Sequence, residues 1–162
     1  MLRRNFTNIK TKNMVKFYLN DSLIKKSIND PQETLLDFLR INQNLKGTKE
    51  GCAEGDCGAC TVLIGKVNKY HKVSYRTANS CIVFLPSIDC SHLITVDGLS
   101  KGLEELHPVQ EAMVRNSGAQ CGFCTPGFVI SMYGLFLKTK KPNRAQILNS
   151  IQGNLCRCTG YG

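Results

Sequence analysis

Cysteine is the residue through which this chain can do chemistry. Of its nine cysteines, three share one short loop as Cys52-x4-Cys57-x2-Cys60, and Cys81 follows after a twenty-residue gap. This four-then-two spacing with a distant fourth thiol is the plant-type arrangement for a [2Fe–2S] cluster. Three thiolates in one tight loop can wrap a compact cluster. Gly51, Gly55 and Gly58 admit unusual φ values and let backbone N–H groups approach the sulfurs, where such donors help set a reduction potential. Tetrahedral zinc fits less well, because zinc motifs usually pair two short gaps.

A second set, Cys121-x2-Cys124 and, after 31 residues, Cys156-x-Cys158, is ambiguous by itself. Two separated cysteine pairs hold either zinc or an iron–sulfur cluster. Cys124 stands just before Thr125-Pro126, and Cys156 follows Gly153, so both pairs lie beside expected helix ends. A centre there would staple helices together. The chain presents no evident general base or nucleophile. His71, His92 and His107 read as structural or exposed, and Glu54 and Asp56 as exposed on the rim of the first loop.

The length of 162 residues with 42% hydrophobic side chains suits one globular unit or two small ones and excludes a disordered or collagen-like chain. No uncharged apolar run reaches the roughly 18 residues of a membrane-spanning helix, and no apolar signal core follows the basic N-terminus. The expectation is a soluble, cytoplasmic protein, with no membrane partner. There, thiols stay reduced, and clustered cysteines read as metal or redox ligands rather than a disulfide framework. The net charge of +9 raises nucleic acid as a partner. Much of it sits in Arg3, Arg4, Lys10 and Lys12, and in Lys138, Lys140, Lys141 and Arg144. Neither group is interleaved with aromatics, so both read as solvated basic faces. Bound iron–sulfur cores with their thiolates would offset part of this charge, and no nucleic-acid partner is expected.

The elements that must hold these cysteines follow from patterning. Residues 1–13 form a basic extension, and Met14 is a candidate original start. Val15, Phe17 and Leu19 alternate, Asn20-Asp21 turns, and Leu23 to Ile28 returns as a second strand. Asp30-Pro31 with Glu33 predicts a cap and a helix over about 32–41. Strands are expected at 61–64, 72–75 and 93–96. Composition changes after Gly98. His107-Pro108 opens a helical pattern that Asn116-Ser117-Gly118 ends, and Thr125-Pro126 caps a helix through about Lys138, with Phe128, Val129, Met132, Leu135 and Phe136 inward. Asn143 with Gln146 caps another, and Gly153 lies past its end. The boundary falls near 98, dividing an α+β domain over 14–98 from a helical domain over 99–162.

Three segments resemble the iron–sulfur portion of xanthine dehydrogenases, in the molybdenum hydroxylase family. They are Gly51-Cys-Ala-Glu-Gly-Asp-Cys-Gly-Ala-Cys60, Gln120-Cys-Gly-Phe-Cys-Thr-Pro-Gly127 and Gly153-Asn-Leu-Cys-Arg-Cys-Thr-Gly-Tyr161. The similarity spans about 14–161; the first loop and Leu106-His-Pro-Val-Gln-Glu-Ala-Met-Val114 look closest to the bacterial branch. The resemblance implies a β-grasp ferredoxin-like domain followed by an all-α four-helix domain. Cys52, Cys57, Cys60 and Cys81 would hold one [2Fe–2S] cluster, and Cys121, Cys124, Cys156 and Cys158 the other. Gln120 would contact the molybdopterin cofactor. Electrons would pass from a molybdopterin-binding subunit, through the second set and then the first, to FAD and NAD on an FAD domain or subunit of the same hetero-oligomer.

Relatives usually continue past Tyr161, often into an FAD domain, so the chain is expected to be a fragment. Cys90 also competes with Cys81 as the fourth ligand on spacing. The Asn79-Ser80-Cys81 context favours Cys81 and leaves Cys90 an ordinary small apolar residue. Alternatives are a small subunit of a hydroxylase for an aldehyde, carbon monoxide or an N-heterocycle, a zinc-stabilised binding module, and a free-standing ferredoxin-like carrier.

Overall fold

The computed structural model describes residues 14–102 and 105–160. The expected basic extension and the terminal Tyr161-Gly162 lie outside them. Strands β1 (Met14–Leu19) and β2 (Ser22–Ser27) form the expected hairpin, from Met14↔Ser27 to Leu19↔Ser22. Asn20 turns it in the left-handed region, at φ 52°, which asparagine tolerates better than most residues. Strict alternation sends Val15, Phe17 and Leu19 inward. β3 (Thr61–Val67) and β4 (Val73–Asn79) form a second antiparallel pair, longer than patterning predicts. β5 (His92–Ile94) inserts between the hairpins, parallel to β1 and antiparallel to β3. The strand order is β2-β1-β5-β3-β4, a β-grasp sheet.

β5 ends at Ile94 rather than Val96 because the Asn20 side chain takes over from a strand partner. Its Oδ1 accepts the Thr95 N–H at 2.9 Å, its Nδ2 donates to Thr95 Oγ1, and the chain then tightens into a 3-10 turn at Val96–Gly98.

The first helix begins later than expected. Asp30 closes only a local turn, accepting the Gln32 N–H at 2.8 Å. Thr34 is the cap: its hydroxyl accepts the Asp37 N–H at 3.1 Å and donates to the Asp37 carboxylate at 2.7 Å. Thr34 also bridges Phe84, and the Leu35 N–H donates to Val83 O, so the backbone is pinned extended until residue 34. Helix α1 (Leu35–Asp37) then runs into a π-turn at Phe38–Asn42. Its Leu35, Phe38 and Leu39 join Leu85 and Ile88 over one sheet face, with Phe17 edge-on to Phe38 at 5.7 Å. Each such side chain contributes about 1.5–3 kcal/mol when fully buried.

Beyond the sheet come α2 (Pro108–Arg115), α3 (Thr125–Lys138) and α4 (Arg144–Ile151). His107 caps α2 in a capping box with Gln110, and Asn143 caps α4 in another with Gln146. α2 ends as expected, with the Gly118 N–H closing back on Met113 O at 2.8 Å.

α3 corrects two expectations. Cys124 occupies its N-cap position, and the Thr125 hydroxyl has no hydrogen-bond partner. Its buried face is Gly127, Ile130, Ser131 and Gly134, with Val129 beside it, whereas Phe136 is half-exposed against His107. The small residues bring the helix close to the first cysteine loop and to β3, which turns the larger side chains away from the sheet.

Candidate metal centre

The first loop bends where its sequence permits. Ala53, Gly55 and Gly58 all have positive φ, at 60°, 90° and 70°. Those bends bring the Cys57 N–H within 3.4 Å of Cys52 Sγ. The loop is tied to the end of β4 by three consecutive residues. The Asn79 amide donates to Gly55 O, the Ser80 hydroxyl donates to Cys60 O at 2.8 Å, and Cys81 Sγ lies 3.3 Å from Cys60 Sγ. Cys60 and Cys81 are buried. Cys90 is exposed at φ 56°, its N–H bonded to Lys16 O on β1.

The thiols are electrostatically graded. N–H groups of Glu54 and Cys57 lower Cys52 to about 7, whereas burial, reinforced by Cys60, raises Cys81 to about 12.

The second set is built from the turn before α3 and the loop after α4. Cys121 pairs with Cys158, and Cys124 with Cys156. The Thr159 hydroxyl donates to Cys156 Sγ at 2.9 Å and, with the Thr159 N–H, lowers that thiol to about 7. Burial raises Cys124 to about 11. The Phe123 N–H lowers Cys121, and hydrogen bonding to Cys121 raises Cys158. In both sets a thiol near neutrality stands with one kept protonated. Loading requires thiolates and therefore releases protons.

Among the described residues, no group of three or more His, Cys, Asp or Glu side chains gathers around a point for a single ion. Thiols meet in pairs. A [2Fe–2S] core takes four cysteine thiolates, two per iron, and four all-sulfur donors arranged as two pairs fit that demand in each set.

The two sets meet at a junction of small residues. The Leu155 N–H donates to Cys57 O at 3.0 Å. Asn154 Nδ2 donates to Gly58 O at 3.0 Å and to Thr61 Oγ1 at 3.3 Å, while its Oδ1 accepts the Ser131 hydroxyl at 2.7 Å. A Cβ on Gly58 would lie 2.3 Å from Gly153 O, so only glycine fits. Phe123 reaches across from the second set; its ring edge lies 3.7 Å from where a Gly51 Cβ would stand.

Patterning reaches the cysteines but not this polar frame. Asn79 and Ser80 were visible only as context for Cys81; Asn154 and Thr159 carried no signal beyond their place beside cysteines. Gln120 is exposed on the loop immediately before Cys121. Each histidine has a structural setting: His71 in the β3–β4 turn, His92 hydrogen-bonded to the Tyr75 hydroxyl at 2.7 Å, His107 as a helix cap. Glu54 and Asp56 are exposed. No helix among the described residues is long and apolar enough to cross a membrane.

Residues 17–85 match the 2Fe-2S iron-sulfur cluster binding domain family, and residues 95–162 match the [2Fe-2S] binding domain family. The second match overturns the zinc alternative for the second set. The chain is 47% identical over 161 residues to the xanthine dehydrogenase of Blastobotrys adeninivorans, covering 97% of this chain. It is 44% identical over 146 residues, or 90% of its length, to the xanthine dehydrogenase/oxidase of Felis catus. It spans 11% of the length of each of these relatives, which are fungal and mammalian.

Among solved structures, quinoline 2-oxidoreductase from Pseudomonas putida 86 is similar with a TM-score of 0.76 at 33% identity, over 91% of this chain and 85% of that one. The aldehyde oxidoreductase from Desulfovibrio gigas matches with a TM-score of 0.77, also at 33% identity, over 90% of this chain and 15% of that one. With both cluster-binding domain families matched along its length and relatives well above 30% identity over nearly all of it, this chain belongs to the iron–sulfur part of the molybdenum hydroxylase family, to which the xanthine dehydrogenases belong.

Proposed function

We propose that this chain is the electron conduit of a cytoplasmic xanthine dehydrogenase. It would relay electrons from a molybdopterin centre through two [2Fe–2S] clusters to FAD and NAD, within a hetero-oligomer or longer polypeptide that supplies the molybdopterin and FAD sites. Cys52, Cys57, Cys60 and Cys81 hold one cluster in a domain over 14–98. Cys121, Cys124, Cys156 and Cys158 hold the other in a helical domain over 99–162, where the exposed Gln120 contacts the molybdopterin. The clusters supply single-electron chemistry.

The chain's own residues position and tune. Asn79 and Ser80 tie the first loop to β4, so Cys81 is delivered with the loop already shaped. The Cys57 N–H and the Thr159 hydroxyl point at thiol sulfurs, where they favour negative charge. The observation that carries the reading is the direct junction between the two cysteine sets, closed by Leu155 on Cys57 and Asn154 on Gly58.

The test is iron, sulfide and zinc content of anaerobically purified protein, with its visible spectrum and the EPR of the dithionite-reduced sample. Equal iron and sulfide sufficient for two clusters, with two distinguishable reduced signals, supports the reading. Zinc in colourless protein overturns it.

One observation favours a second reading, a separate small subunit of a hydroxylase acting on an aldehyde or N-heterocycle. The match to quinoline 2-oxidoreductase covers 85% of that chain, so a polypeptide of this extent can serve as a subunit. Co-purification from the native source, with the partner identified by mass and its substrate by assay, separates the two.

A further inference from the structure

We propose that Asn154 is a positioning residue that sets the electronic coupling between the two clusters, by locking the loop that carries Cys57 and Cys60 to the segment that carries Cys156. The inference rests on the two-cluster reading above. Asn154 lies two residues before Cys156, and its partner Gly58 lies between Cys57 and Cys60. One side chain therefore ties the two ligand-bearing segments together across 96 residues of sequence.

The chemistry of the contact specifies an amide. Gly58 O can only accept, so the nitrogen of Asn154 must face it, and the oxygen is left to accept the Ser131 hydroxyl. That hydroxyl belongs to α3, and Ser131 is buried. The same Nδ2 reaches Thr61 Oγ1, the first residue of β3, whose hydroxyl itself donates to Gly58 O at 2.6 Å. Asn154 thus ties the first loop, β3, α3 and the loop after α4 at one point. An aspartate would supply no donor and would set its charge against the Gly58 carbonyl; an alanine would leave the carbonyl without its cross-domain partner.

Packing leaves the lock little freedom. A Cβ on Gly58 would lie 2.6 Å from Asn154 Nδ2, and one on Gly127 would lie 3.0 Å from it. The backbones approach closely around the amide, so its hydrogen bonds hold them at their point of nearest approach. Coupling between two redox centres decays steeply with separation, so a tie that fixes two ligand-bearing loops fixes coupling as well.

The test uses the full chain with both clusters loaded, comparing the unaltered protein with Asn154→Ala, Asn154→Asp and Ser131→Ala. EPR spectra are recorded at partial and at full reduction. In the unaltered protein, full reduction is expected to produce a splitting from spin–spin interaction between the clusters, and two cluster signals without any splitting overturn the inference. The variants are expected to keep full iron and sulfide content and the separate signals seen at partial reduction. The splitting should be lost or clearly narrowed in Asn154→Ala and Asn154→Asp, and narrowed less in Ser131→Ala, which removes only the bond that orients the amide.

An unchanged splitting in loaded Asn154 variants overturns the inference. Should neither Asn154 variant load, an unchanged splitting in Ser131→Ala overturns it and a narrowed one supports it. Failure of the underlying reading looks different, because the unaltered protein would then lack a second cluster signal altogether.

Discussion

The carbonyl oxygen of Gly58 occupies the space that a side chain on Gly127 would fill: a Cβ there would stand 2.1 Å from it. A loop residue between two thiol ligands and the first turn of α3 are thereby in backbone-to-backbone contact. Gly127→Ala should therefore force these elements apart. The obstructing atom is backbone and cannot swing aside, so a cost of about 1–3 kcal/mol is expected, lowering Tm by several degrees. Gly134→Ala is the control. Its Cβ would meet only the Leu63 and Thr77 side chains, at 3.1 and 3.4 Å, and the gain in helix propensity of up to about 1 kcal/mol should keep it near neutral. Thermal unfolding of both variants checks the contrast.

Cys81→Ser should abolish the visible absorption and EPR signal of the first cluster while leaving the second. Cys90→Ser should leave both. Cys81 lies buried beside Cys60, whereas Cys90 is exposed and bonded through its backbone to β1. The reverse outcome, with Cys90→Ser losing the cluster and Cys81→Ser keeping it, would mean that the wrong fourth thiol has been assigned.

Thr159→Val removes the hydroxyl that donates to Cys156 Sγ and keeps the side-chain volume. Hydrogen bonds to cluster sulfurs favour the reduced, more negative state, so the potential of the second cluster should fall. A bond of about 1 kcal/mol corresponds to a shift on the order of tens of millivolts, since 59 mV is tenfold for one electron. Thr159→Ser should restore much of it. Redox titration followed by EPR measures both, with the first cluster as an internal reference.

His107 should make the helical part sensitive to mild acid. Burial lowers its pKa below 6.5, and its neutral Nδ1 accepts the Val109 N–H at 3.2 Å while its ring packs on Tyr133 and Phe136. The unfolded chain therefore takes up a proton more readily than the folded one. The contribution to stability is full above about pH 6.5 and is lost as pH falls below it. His107→Asn keeps a capping acceptor and should flatten this dependence. Denaturation midpoints measured across pH 5 to 8 on both proteins test the sign.

The legible part of the molecule was what repeats or clusters. The alternation of Val15, Phe17 and Leu19 gave the first strand because burial enforces a period of two, and the cysteine spacing pointed to the ligand sets because a cluster constrains its loop. Helix starts were less legible at Asp30 and Thr125, since a cap depends on what pins the preceding backbone. At Thr34 the pin is Phe84, fifty residues away. The inward face of α3 holds at Val129 but not at Phe136, for a related reason. Large apolar residues signal burial in isolation, but Gly127 and Gly134 have short-range meaning only once Gly58 and Leu63 are beside them. Asn154 belongs to the same class, because its partners are remote in sequence.

The hydrogen bond from Leu155 to Cys57 also joins a loop shaped by local bends to a segment from far along the chain. The three thiols of the first loop lie within nine residues of one another and need only local bends, whereas Cys156 and Cys158 approach Cys121 and Cys124 only after a long stretch of chain has closed. Loop-closure entropy rises with length, so distant contacts form late. The segment carrying Cys156 is then recruited onto a first loop that is already shaped. The first loop thereby offers the surface on which the distal pair of thiols is seated.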